Sequence, residues 1–140
     1  MKRKIIIDTD PGQDDALAIL LALASPQELD VLGIIAVAGN VPLQLTTRNA
    51  RALVELAKRP EVPVFAGCPR PLMRNLVTAE HVHGKTGLDG WDMPEPSVPL
   101  QIEHGVDWLI ETLRKAEDDS VTICTLSLIH ISEPTRQVLI

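Results

Sequence analysis

Cysteine is scarce in this 140-residue chain, which has only Cys68 and Cys124. Their separation matches no metal-finger spacing, and two cysteines do not make a disulfide framework. Basic clusters are absent beyond Lys2, Arg3 and Lys4, and the formal charge is −6, which argues against a nucleic-acid surface. No apolar run nears the length that a membrane span needs. The basic triplet does precede Ile5, Ile6 and Ile7, but that short run ends in acids and does not read as a signal peptide. The expectation is a reduced, cytoplasmic chain with neither nucleic acid nor membrane as a partner.

Apolar residues make up 45% of the sequence, enough for one modest domain with a core. Lys4–Asp8 and Asp30–Val37 are apolar, β-branched runs without alternation, as in strands buried on both faces. Val62–Ala66 and Val121–Leu126 read as two more strands. Between them, Asp14–Ser25, Thr46–Arg59 and Glu103–Ala116 carry helical spacing. Leu53, Leu56 and Ala57 fall on one face of the second helix, and Val106, Leu109, Ile110 and Leu113 on one face of the third. Strands alternating with helices predict an α/β fold, a parallel sheet with helices on both faces. In such sheets ligands sit outside the carboxyl ends of the strands. Three irregular features fall there: an acid cluster after the first strand, "AGN" at Ala38–Asn40 after the second, and a long Pro-bearing loop from Cys68 to about Ile102 after the third. Loops of that length are uncommon in compact domains unless functional.

The acid cluster is "DTDPGQDD", with Asp8, Asp10, Asp14 and Asp15 inside eight positions. Helix capping accounts for part of it, with Asp10 as N-cap, Pro11 as first helical residue and acids favoured by the helix dipole. One or two acids satisfy that need, each contributing about 0.3–1 kcal/mol. Four exceed it, and their repulsion calls for a cation. Oxygen donors without neighbouring His or Cys point to a hard ion, Ca²⁺ or Mg²⁺. The spacing is not that of an EF-hand loop. Trp91 and Trp108 read as packing residues, and Arg70 and Arg74 as solvated.

The stretch "DTDPGQDDALAI" resembles the signature of the inosine–uridine-preferring nucleoside hydrolases. "AGN" at Ala38–Asn40, "PVFAGCPRPL" at Pro63–Leu72 and "HGKTGLDG" at His83–Gly90 agree with it in order along the chain. The last string is similar to the bacterial pyrimidine-preferring branch. The resemblance implies the N-terminal, Rossmann-like part of that fold and hydrolysis of the N-glycosidic bond of ribonucleosides by a Ca²⁺-bound water. It implies Asp10 and Asp15 as carboxylate ligands of Ca²⁺, with Asp10 also the base that takes the water's proton. Asp14 would accept from a ribose hydroxyl, Asn40 would lie near the ribose, and His83 would reach the nucleobase. Asp8 would orient its neighbours from behind the ligands, and the backbone carbonyl of Leu126 would complete the metal's donors. It also implies a full-length parent that is a homo-oligomer, members of the family being commonly dimers or tetramers.

Departures accompany the likeness. Gln13 stands where the family often has His, and Glu80–His81 precede His83 where Asp–Asn is common. Later family motifs, including a His–Asp pair that completes the metal site, are missing. The segment Leu126–Arg136 looks like a translated sequencing-library adaptor. The expected organisation is therefore residues 1–125 as the N-terminal part of a nucleoside hydrolase domain and 126–140 as a non-native tail, with His130 not a catalytic base. A chain so composed is expected to be inactive alone. Two alternatives stand beside this reading: a haloacid-dehalogenase-type Mg²⁺ phosphatase, although Pro11, Gly12 and the Asp14–Asp15 pair do not fit its pattern, and a metal- or nucleoside-binding fragment without catalysis.

Overall fold

A computed structural model describes residues 2–127. Its elements run β1 (Arg3–Thr9), α1 (Gln13–Leu23), β2 (Leu29–Ala36), α2 (Leu43–Leu56), β3 (Val64–Ala66), α3 (Glu80–His83), α4 (Gly105–Lys115) and β4 (Val121–Thr125). The strands form one parallel sheet in the order β3-β2-β1-β4. β1 sits between β2 and β4, pairing Ile7 with Ile34 and with Cys124. Its position explains its composition. Ile5 and Ile7 point into one core, with Ile19, Leu23, Ala50 and Leu53 from α1 and α2. Ile6 points to the other face, with Ile35, Val37 and Phe65, against Trp108 and Leu109 of α4. Side chains alternate across a strand, so an unbroken Ile run is what a strand covered on both sides requires.

The expected alternation and the two-sided covering are both present, with element ends shifted by up to three residues. α1 begins at Gln13 with Gly12 as its N-cap, so Asp10 and Pro11 are not the cap and first turn. Pro11 lies in the loop that carries Asp10 inward. α2 buries Thr46, Asn49, Ala50 and Leu53, whereas Leu56 is 54% exposed, so the buried stripe runs N-terminal to the expected one. On α4, Leu109 packs inward, but Val106, Ile110 and Leu113 remain 37–43% exposed. That helix covers the sheet with Trp108, whose ring stacks on Phe65 at 4.2 Å, which is the packing role expected of it. The long loop contains one helical turn, α3. Its chain is pinned to α2, where Arg51 donates to the carbonyls of Pro96 and Val98 and Arg48 to that of Met93. No helix among the described residues is long and apolar enough to cross a membrane.

Candidate active site

The β1–α1 and β2–α2 loops leave the sheet side by side at its carboxyl end, because β1 and β2 are hydrogen-bonded parallel neighbours. Val37 N–H donates to the Thr9 carbonyl (2.9 Å), carrying the pairing past the strand ends. That contact brings Asn40 against the acid stretch. Its backbone N–H donates to Asp10 Oδ2 (2.8 Å). Its amide Nδ2 donates to the Asp10 carbonyl (2.8 Å) and to Asp15 Oδ2 (3.2 Å). Gly39 allows this approach: a Cβ there would lie 1.9 Å from Asp10 Oδ2.

Asp15 is fully engaged. Besides Asn40, it accepts from Thr9 Oγ1 (2.7 Å) and from the Gly12 N–H (3.2 Å). The Gly12 bond holds one end of α1, where an acid also meets the positive pole of the helix. Asp10 differs. Its Oδ2 is taken by Asn40; the buried Oδ1 meets no well-formed hydrogen-bond donor among the described residues, with the Ser127 hydroxyl its nearby polar neighbour. Burial pushes the Asp10 carboxyl up to about 6; the Asn40 N–H opposes that rise, the Asp15 charge adds to it, and the Ser127 hydroxyl nearby opposes it. Burial also raises Asp15, against the bonds from Thr9 and Gly12.

Of the residues singled out from sequence, Asp10, Asp15 and Asn40 thus form one buried, hydrogen-bonded cluster. Asp14 lies in solvent on the first turn of α1, and Asp8 is half-buried at the end of β1. Leu126 follows β4, and its N–H donates to the Asp8 carbonyl (2.8 Å). His83 ends α3, and its Nδ1 is 3.2 Å from Gln13 Oε1. His130 and most of the suspected tail lie outside the described residues. Two residues were missed. Thr9 binds Asp15. Asn49, wholly buried, divides its Nδ2 between the carbonyls of Pro11 (3.0 Å) and Thr86 (2.8 Å), joining the acid loop to the "HGKTGLDG" loop. An Asn within the apolar stripe of α2 was the available signal, since a buried amide must find partners.

Two buried carboxylates, one with an oxygen that meets no well-formed donor, suit a hard cation that takes oxygen ligands. Among the described residues no group of three or more His, Cys, Asp and Glu converges on one point. Two shallow grooves lie elsewhere, between α1, α2 and the 88–96 segment; one includes Gln13, and neither includes Asp10 or Asn40. We locate the candidate site by its buried charge, since an apolar groove without convergent polar groups has less claim to chemistry.

Residues 5–128 match the profile of the inosine-uridine preferring nucleoside hydrolase family. The chain is 54% identical over 123 residues to an uncharacterised protein of Schizosaccharomyces pombe, covering 88% of this chain and 39% of that one. It is 46% identical over 125 residues to the pyrimidine-specific ribonucleoside hydrolase RihA of Salmonella typhi, covering 89% of this chain and 40% of that one. Among solved structures, the plant nucleoside hydrolase PpNRh1 superposes with a TM-score of 0.82 at 37% identity, over 90% of this chain and 40% of that one. The chain therefore spans about two fifths of the length of the relatives it matches.

Proposed function

The chain belongs to the inosine-uridine preferring nucleoside hydrolase family, and from that premise we propose that the full-length protein hydrolyses the N-glycosidic bond of ribonucleosides to ribose and free base. Its substrates in this reading are pyrimidine ribonucleosides, supported by 46% identity to a pyrimidine-specific relative. The observation that carries the reading is the buried Asp10–Asp15–Asn40 cluster at the carboxyl end of the sheet. The family match supports it over a phosphatase.

Breaking this bond develops positive, oxocarbenium-like character on the sugar, as in glycoside hydrolysis. Carboxylates beside the ribose stabilise that charge. Asp10 is the base: among the described residues its buried Oδ1 is engaged at most by the nearby Ser127 hydroxyl, which leaves that oxygen able to take a proton. Asp15 and Asp10 would hold the cation, with the backbone carbonyl at position 126, filled here by Leu126, as a further donor whatever residue the full-length protein has there. Ca²⁺, when bound, would fix a water and the ribose diol in place and make that water more acidic than bulk. Asp14, exposed at the helix start, accepts from a ribose hydroxyl. Asn40 keeps both acids in register and borders the ribose, and His83 reaches toward the nucleobase. Asp8 acts from behind, through the strand end it shares with Leu126.

The same proposal takes residues 1–125 as the N-terminal part of the domain and 126–140 as non-native. The 140-residue chain alone then turns over little, and the full-length protein is a cytoplasmic homo-oligomer. The test is Asp10→Asn in the full-length protein, assayed by release of free base from uridine in the presence of Ca²⁺. Loss of at least roughly a thousandfold in kcat is expected for removal of a base that also binds the cation. Wild-type turnover by the variant would remove Asp10 from this role.

A further inference from the structure

Gln13 is exposed on the first turn of α1, yet its side chain does not simply point to water. Its Oε1 lies 3.2 Å from Nδ1 of His83, seventy residues further on. With the carboxamide oxygen facing the ring, as here, the ring donates and carries its proton on Nδ1. In a neutral imidazole that leaves Nε2 as the sole acceptor. The ring is also seated. A Cβ at Gly12 would lie 2.6 Å from Nδ1 and 2.9 Å from Cε1 of His83, and 2.8 Å from Nδ2 of Asn40. The Nδ1 edge of His83 and the Asn40 amide thus share the bare face of Gly12. The segment bearing the ring is tied down at both ends. Ala79 N–H donates to the Asn40 carbonyl (2.9 Å), and Asn49 bridges Pro11 to Thr86.

We propose that Gln13 is a positioning residue for His83: it fixes the Nδ1–H tautomer over Gly12 and so presents Nε2 as an acceptor for an N–H donor on the nucleobase of the bound ribonucleoside. The tautomer half of this inference rests on the Gln13 oxygen facing the ring; the ligand half rests on the hydrolase reading above. An imidazole left to itself can place its proton on either nitrogen, and one in the Nε2–H form would meet such a donor with a second donor. Gln13 removes that mismatch. Both pyrimidine nucleosides offer a donor, uridine through its ring N–H and cytidine through its amino group.

The experiment compares Gln13→Leu, which deletes the acceptor, with Gln13→Glu, which keeps an oxygen acceptor at the same reach. Long-range ¹H–¹⁵N spectra of histidine-labelled full-length protein, at about pH 8.5 where an ordinary imidazole is neutral, report the tautomer without any turnover. The wild type and Gln13→Glu should show His83 protonated on Nδ1, and Gln13→Leu should shift it to Nε2. In the same preparations, KM for uridine should rise roughly tenfold in Gln13→Leu, the value of one hydrogen bond lost, with kcat changed far less and Gln13→Glu near wild type. A wild-type His83 protonated on Nε2, or a Gln13→Leu spectrum like the wild type, overturns the inference. So does an altered tautomer with unaltered KM. If no preparation releases base while the spectra behave as expected, the hydrolase reading fails and the Gln13–His83 pairing survives it.

Discussion

Asp15 and Asp14 are adjacent in sequence but occupy opposite environments: Asp15 is 6% exposed with three donors on its carboxylate, and Asp14 stands in solvent. Asp10 and Asp8 repeat the contrast one strand-end earlier, with Asp10 buried and Asp8 half-buried. One stretch of four acids therefore divides into a buried inner pair held by the fold and an outer pair, Asp14 exposed and Asp8 half-buried. In the inner pair burial raises both carboxyl pKa values, so each holds its proton more tightly. Its two members differ again: Asp15 accepts from three donors, whereas among the described residues Asp10 Oδ1 has at most the nearby Ser127 hydroxyl. Asp15 is the more firmly held of the two proposed cation ligands, and Asp10 the one with an oxygen freer to take a proton.

Asp15→Ala breaks the contrast most severely. It strands Thr9 Oγ1, the Gly12 N–H and one Asn40 hydrogen inside the protein. Destabilisation of about 3 kcal/mol is expected from donors left without partners, read as a lowered denaturant midpoint. A midpoint within error of wild type would show that Asp15 anchors nothing.

Asp10→Asn sharpens the difference within the inner pair, through pH. Asp10 binds its proton more tightly folded, at about 6, than unfolded, near 3.8. Folding is thus penalised above about pH 6, and the penalty fades as pH falls toward 3.8. Without a divalent cation, Asp10→Asn should melt higher than wild type at pH 7.5, by the order of 2 kcal/mol, and the gap should close by about pH 4. Excess Ca²⁺ should stabilise the wild type more than the variant. A gap independent of pH would mean that the burial of Asp10 does not set its acidity.

Asp14→Asn is the smallest perturbation of stability, about 0.5 kcal/mol from the weakened helix dipole interaction. Its value lies in the split it produces. In the full-length protein, kcat/KM for uridine should fall roughly tenfold or more, as for loss of a hydrogen bond to a charged group. Equal losses of stability and activity would return Asp14 to an ordinary first-turn acid.

Much of this was readable in advance. The Ile run of β1 and the alternating periodicities gave the parallel sheet, because burial on both faces leaves little compositional freedom. The crowding of acids located the site, because repulsion without compensation is hard to sustain. What could not be read is which acids turn inward. Helix capping, the plainer account of Asp10, does not hold: Gly12 occupies the cap of α1, because the Asn40 N–H draws the Asp10 carboxylate across to the neighbouring loop. Leu56 was placed on the buried face of α2 but lies out, since the helix turns Thr46, Asn49 and Leu53 to the sheet.

The sequence by itself determined the order of elements, the fold class and the family, since periodicity and local motifs are properties of neighbouring residues. Tertiary structure decided the partners that come from thirty to seventy residues away: Asn40 for Asp10, Asn49 for Pro11 and Thr86, His83 for Gln13. Those contacts exist because parallel strands deliver successive loops to the same end of the sheet. A carboxylate's burial and its proton affinity follow from what meets it there.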